Sequence, residues 1–220
     1  MPKFNYKLYL TKETIITSLI IFASLGLFIF FPSSDSAQTL TSYLFFLFLI
    51  PVGCAKFFLN KNLKDFGFTL KINKEGIFWT IGMLIVSLLA FYILTNYTNF
   101  SSSYILPTSI LNNFWLFLIY ELIFFNMFFI FQEFFFKGFV LFSLREKLGW
   151  FSVLISAIIY TGLVFGTDGL ALKNIPLIIL AITGSVVAYK SNSVVYAYLM
   201  GILFFIIANS YFIYYLNNQL

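Results

Sequence analysis

Residues 111–144 read LNNFWLFLIYELIFFNMFFIFQEFFFKGFVLFSL, an apolar run interrupted by Glu121, Asn126, Gln132, Glu133 and Lys137. As one straight helix this run spans about 50 Å at 1.5 Å per residue, against a hydrocarbon core of about 30 Å. It must therefore bend, break or extend into water. Ionisable groups at membrane depth cost roughly 2.5–3.5 kcal/mol each on insertion scales and face a polar interior, so Phe131–Phe139, which holds Gln132, Glu133 and Lys137, is the candidate functional site.

The rest of the chain agrees with a membrane setting. Of its 220 residues, 61% are hydrophobic, 22% aromatic and only 10% charged, with mean hydropathy +0.96. A soluble domain carries about 25% charged residues, which excludes that class. Alternating segments of the kind that build a membrane β-barrel are absent from the sequence. The single cysteine, Cys54, excludes an internal disulfide, and the lack of histidine removes the commonest transition-metal ligand and general base, so neither a metal nor a cofactor is expected. The net charge of +5 is read as basic cytoplasmic loops rather than as an affinity for nucleic acid.

Apolar runs between charged or proline-bearing breaks give spans near Thr14–Phe31, Thr41–Phe58, Ile77–Leu94, the long run, Trp150–Phe165, Ile175–Ala188 and Val194–Leu216. The first is read as an uncleaved span, because no small-residue cleavage site follows it. The expected fold is an all-α polytopic bundle of seven membrane helices, or eight if the long run crosses twice, forming a single membrane domain over residues 1–220. Lys3, Lys7, Lys12, Lys56, Lys61, Lys64, Lys71, Lys74, Lys137, Arg145, Lys147 and Lys190 then share one side and Lys173 the other. That asymmetry predicts a cytoplasmic N-terminus and one crossing, with a kink or re-entrant piece, for the long run. In the loop Asn60–Glu75, Leu63–Phe68 is expected to lie at the interface and attract anionic headgroups.

At 100° per residue, Asn126, Glu133 and Lys137 share one direction on a straight helix and Glu121 and Gln132 another. Two polar stripes need two polar neighbours, for which Tyr160, Thr161, Thr183, Ser185, Asn209 and Ser210 are candidates. Glu133 and Lys137 are four apart with the acid first, the favourable order for a pair, and mutual neutralisation alone would account for them without chemistry. Small residues four apart, Gly162/Gly166, Ala181/Ser185 and Ala197/Gly201, predict tight helix packing within the chain.

Over residues 111–212 the order of these features resembles the CPBP family of intramembrane proteases, the CAAX prenyl protease and bacteriocin-processing (Abi) group. The family's E-E-x-x-x-R motif has its likeness in Gln132-Glu133-Phe134-Phe135-Phe136-Lys137-Gly138. An aromatic residue four before a histidine corresponds to Tyr160 and Val164, and H-x-x-x-N to Phe205-Ile206-Ile207-Ala208-Asn209. The resemblance implies that Glu133, Lys137, Gly138 and Asn209 are retained, and that the positions of the water-activating glutamate and the two histidines are held by Gln132, Val164 and Phe205. A glutamine amide takes up no proton near neutral pH, and valine and phenylalanine form no side-chain hydrogen bonds. The expectation is a pseudoenzyme, an accessory subunit or scaffold in a bacterial plasma membrane that binds a membrane protein or a lipidated peptide. The alternatives are an active endopeptidase with Glu121 or Glu133 as base, and a small transporter or channel whose pathway Glu133 and Lys137 mark. Glu121 lies about 17 Å along a helix from Gln132, too far to replace it without a break in the helix.

Overall fold

The computed structural model describes residues 11–70, 72–104, 106–111, 113–169 and 171–217. Lys3, Lys7 and Lys71, used above in the charge count, lie outside them. The described residues are helices, turns and loops without a strand. The main helices are α1 Lys12–Phe30, α2 Ser36–Leu59, α3 Lys74–Tyr97, α4 Phe114–Leu148, α5 Phe151–Asp168, α6 Ile175–Ser191 and α7 Val194–Asn217. α1–α4, α7 and α6 together with the turn before it, Leu172–Ser191, are long and apolar enough to cross a membrane, and Phe151–Thr167 of α5 is apolar but shorter. The chain is thus an integral membrane protein.

Helix ends are set by local chemistry. The Asp35 carboxylate accepts from Gln38 N at 2.8 Å at the start of α2, and Asn113 Oδ1 accepts from Trp115 N and Leu116 N, both at 3.1 Å, at the start of α4. Each cap satisfies donors that the first turn leaves without a partner. Asn60 and Asn192, at φ 52° and 57°, close α2 and α6 in the left-handed conformation that asparagine tolerates. Within α2 a π turn, Phe45–Leu49, lies immediately upstream of Pro51, whose ring and missing N–H disturb a regular helix.

The long run is one uninterrupted helix, relieved by two π segments, Tyr120–Phe125 and Phe134–Val140. α4 is also the shared wall between two groups of helices. Its Phe117, Phe129 and Leu141 belong to a core with α3, α6 and α7, which includes Phe91, Leu180, Val187, Met200 and Phe204. Its Phe134, Phe135, Phe136, Phe139 and Val140 belong to a second core with α1, α2 and α5, which includes Ile20, Ile21, Leu47, Ala157 and Val164. The five π-segment residues named here are at most 1% exposed, so this part of α4 is enclosed on every side.

Loop Asn60–Glu75 does not simply rest at the interface. Phe66 and Gly67 are buried, the Phe66 ring centroid lies 5.2 Å from that of Phe139, and Val194 N donates to Gly67 O at 2.9 Å. The loop therefore closes one end of the bundle between α4 and α7. Lys61 remains at the surface and forms an ion pair with Glu13, which ties the loop to α1.

Close approach occurs at some of the small residues and not at others. A Cβ on Gly201 would collide with the Phe129 ring, whereas one on Gly162 would meet nothing within 4 Å. Ala181, Ser185 and Ala197 are buried, but Gly162 and Gly166 face outward, which corrects the expectation that this pair packs tightly within the chain. Gly201→Ala should destabilise the protein by about 1–3 kcal/mol through overpacking, read as a lower midpoint in a thermal scan in detergent. Gly162→Ala should leave that midpoint unchanged or slightly raised.

Candidate functional site

The site is built from the polar side chains of α4. Glu133 and Lys137, one turn apart, are 3% and 2% exposed, and Lys137 Nζ donates to Glu133 Oε1 in a buried ion pair. Space for the ammonium comes from α6, where a Cβ on Gly184 would collide with Lys137 Nζ and Cε. The Phe129 ring adds its negative face, with its centroid 5.9 Å from Nζ. The second carboxylate oxygen, Glu133 Oε2, is buried without a hydrogen-bond partner among the described residues.

One end of α4 is pinned to α7. Asn209 Nδ2 donates to Glu121 Oε1 at 2.6 Å, and Tyr104 Oη donates to Asn209 Oδ1 at 2.8 Å. Burial, and then the nearby Glu121 carboxyl, push the Tyr104 phenol above its usual range, so it stays a donor. Glu121 Oε2 has no partner among the described residues. Five residues further on, Tyr198 Oη of α7 donates to Asn126 Oδ1 at 2.8 Å.

Gln132 faces the other way. Its Nε2 donates to Tyr43 Oη of α2 at 3.1 Å, while Tyr160 Oη of α5 donates to its Oε1 at 3.4 Å. Val164, 4% exposed, belongs to the core shared with α1 and α2. Phe205, also 4% exposed, belongs to the opposite core and packs against Phe125 at a centroid distance of 4.4 Å and Phe129 at 5.7 Å. The three positions matched to catalytic residues are therefore divided between two cores. Gly138 has a packing role, since a Cβ there would lie 3.3 Å from Phe66 O. Among the described residues no three His, Cys, Asp or Glu side chains gather as metal ligands would.

The expected common direction of Glu121 and Gln132 is not realised. The π segment at Tyr120–Phe125 lies between them, and one extra residue in a helical turn offsets the following face by about 100°. Glu121 consequently joins Asn126 in facing α7, and Gln132 faces α2 and α5. Of the proposed polar neighbours, Tyr160 and Asn209 do meet α4. Thr183 instead accepts from Ser87 Oγ of α3 at 2.9 Å, and Ser210 bonds to Ile206 O of its own helix. The partners that spacing did not reveal are Tyr43, Tyr104 and Tyr198. Tyrosine at membrane depth was the available signal, because a buried hydroxyl needs a partner.

Removing one member of the central pair leaves the other charge buried. Glu133→Leu should cost about 3–5 kcal/mol, whereas Glu133→Leu combined with Lys137→Met should recover most of the loss. Accumulation in the membrane and thermal midpoint in detergent check both, and a normal Glu133→Leu protein would count against a structural pair. Comparison with protein-family models, curated proteins and solved structures finds no match to this chain.

Proposed function

We propose that this chain is a catalytically silent membrane protein on a CPBP-like frame, serving as a scaffold or accessory subunit that holds a membrane partner or a lipidated ligand where that family binds substrate. The observation that carries the reading is the state of Gln132. Its amide is engaged by two tyrosine hydroxyls from two helices, at 3.1 and 3.4 Å, and an amide is no base. The positions matched to the two histidines are packed hydrocarbon, at Val164 and Phe205. General-base catalysis is worth typically about 10²–10⁴ in rate, so a site without the base and both imidazoles has no useful peptidase chemistry. The same reading puts the N-terminus in the cytoplasm of a bacterial cell.

Purified protein in mild detergent should leave prenylated and lipidated peptides intact and should copurify with a stoichiometric membrane partner. Cleavage that Gln132→Ala abolishes would overturn the reading. Cleavage that survives Gln132→Ala but is lost in Glu121→Gln would assign the base to Glu121 and make the chain an active peptidase.

A further inference from the structure

Glu133 has a second environment besides Lys137. It forms part of the wall of an apolar cavity of about 300 Å³, together with Phe68, Leu70, Ile130, Val195 and Tyr198. A second cavity, of about 380 Å³, shares Leu70 and Val195 as walls and runs on past Ile72, Ile77 and Leu199. The two adjoin at Leu70 and Val195, which line both, and together make a groove walled by the loop and α7. Among the described residues its rim is open and apolar at Leu70 and Ile72, which are 85% and 87% exposed. Its frame is held in place, because Ser193 Oγ donates to Thr69 O at 2.7 Å and Asn73 N donates to Tyr196 Oη at 2.8 Å.

We propose that this groove binds a single-chain lipid with an uncharged hydroxyl head, a long-chain alcohol or monoacylglycerol, whose hydroxyl donates to Glu133 Oε2. The chemistry follows from the walls. Hydrocarbon lines the groove along most of its length, which suits an acyl or alkyl chain. Glu133 Oε2 is a buried acceptor without a donor among the described residues, and the protein leaves that donor to be supplied from outside. Lys137 already balances the Glu133 charge, so a cationic head would bring an uncompensated charge into hydrocarbon, and an anionic head would meet an acceptor. A peptide would bring several backbone polar groups. Among the described residues the only other polar side chain of the inner cavity, Tyr198, has given its hydroxyl proton to Asn126, so a peptide backbone would go unsatisfied there.

The inference rests on the silent reading in taking Glu133 as a binding group rather than a base. The two fail separately: peptide cleavage overturns the silent reading whatever the lipid does, and lack of lipid binding overturns this one alone. The full chain in phosphatidylcholine vesicles, photolabelled with diazirine-bearing hexadecanol, should carry the label on residues 68–70 and 194–199. Hexadecanol should compete at least tenfold better than hexadecyl methyl ether, which has the same chain and no donor. Val195→Trp, which fills the groove without touching the ion pair, should lower labelling about tenfold in protein that accumulates normally, and if it does not accumulate the competition decides. Equal competition by the ether, labelling spread over all lipid-facing helices, or undiminished labelling of a well-folded Val195→Trp protein would overturn the proposal.

Discussion

Hydrocarbon offers no hydrogen bonds, so a polar side chain at membrane depth must find its partner in another part of the protein. That constraint, applied to Glu121, Asn126, Gln132, Glu133 and Lys137 on one helix, orients most of the bundle. Glu121 and Asn126 pull α7 against the first half of α4. Gln132 draws in α2 and α5 from the opposite side. Lys137 lies against Gly184 of α6, where a Cβ would collide with its ammonium and force it to move. Leucine and phenylalanine, which fill both cores, pack in many arrangements; the polar contacts accept few. A buried ion pair contributes little net stability, because taking two charges out of solvent offsets their attraction. Its effect here is to make other registers of α4 costly.

The π segments make this division of labour possible on a single helix. A regular helix repeats its faces every 3.6 residues and presents its polar positions to a limited set of neighbours. Each π turn resets that repeat. The first π segment thus brings Glu121 onto the face of Asn126, the regular turns from Asn126 to Glu133 carry Gln132 to the other core, and Glu133 and Lys137 are enclosed between them. Among the described residues the second π segment is tightly enclosed, with Phe135, Phe139 and Val140 wholly buried. Wide turns put bulky rings at spacings that a regular helix does not offer, and here those rings pack into the core shared with α1, α2 and α5.

The spans, the helix breaks and the Glu133–Lys137 pair could be read from the sequence because each depends on residues close together in the chain. Apolar runs set the first, charged and proline-bearing stretches the second, and a four-residue spacing the third. The long run was also legible as an anomaly of length, although its solution, π turns within one continuous helix, was not. A π segment has no local signature in Tyr120–Phe125 or Phe134–Val140, and packing from both sides selects it. The tyrosine partners were hidden for a similar reason: Tyr43 and Gln132 are 89 positions apart, and Tyr198 and Asn126 are 72. The loop Leu63–Phe68 read as interfacial because it is short and mixed in polarity. Its aromatic residues find a better place against Phe134 and Phe139 than in headgroups.

What a glutamine contributes at position 132 follows from the same constraint. A carboxylate between the hydroxyls of Tyr43 and Tyr160 would accept from both, and its charge would need a cation. The nearest one by sequence, Lys137, is committed to Glu133. An amide is neutral at every pH the membrane meets, and it offers one donor face and one acceptor face. Tyr160 can then donate while Tyr43 accepts, so three helices are joined without an uncompensated charge. A glutamine here therefore avoids the cost of burying a charge, and it makes a contact whose geometry holds α2, α4 and α5 together.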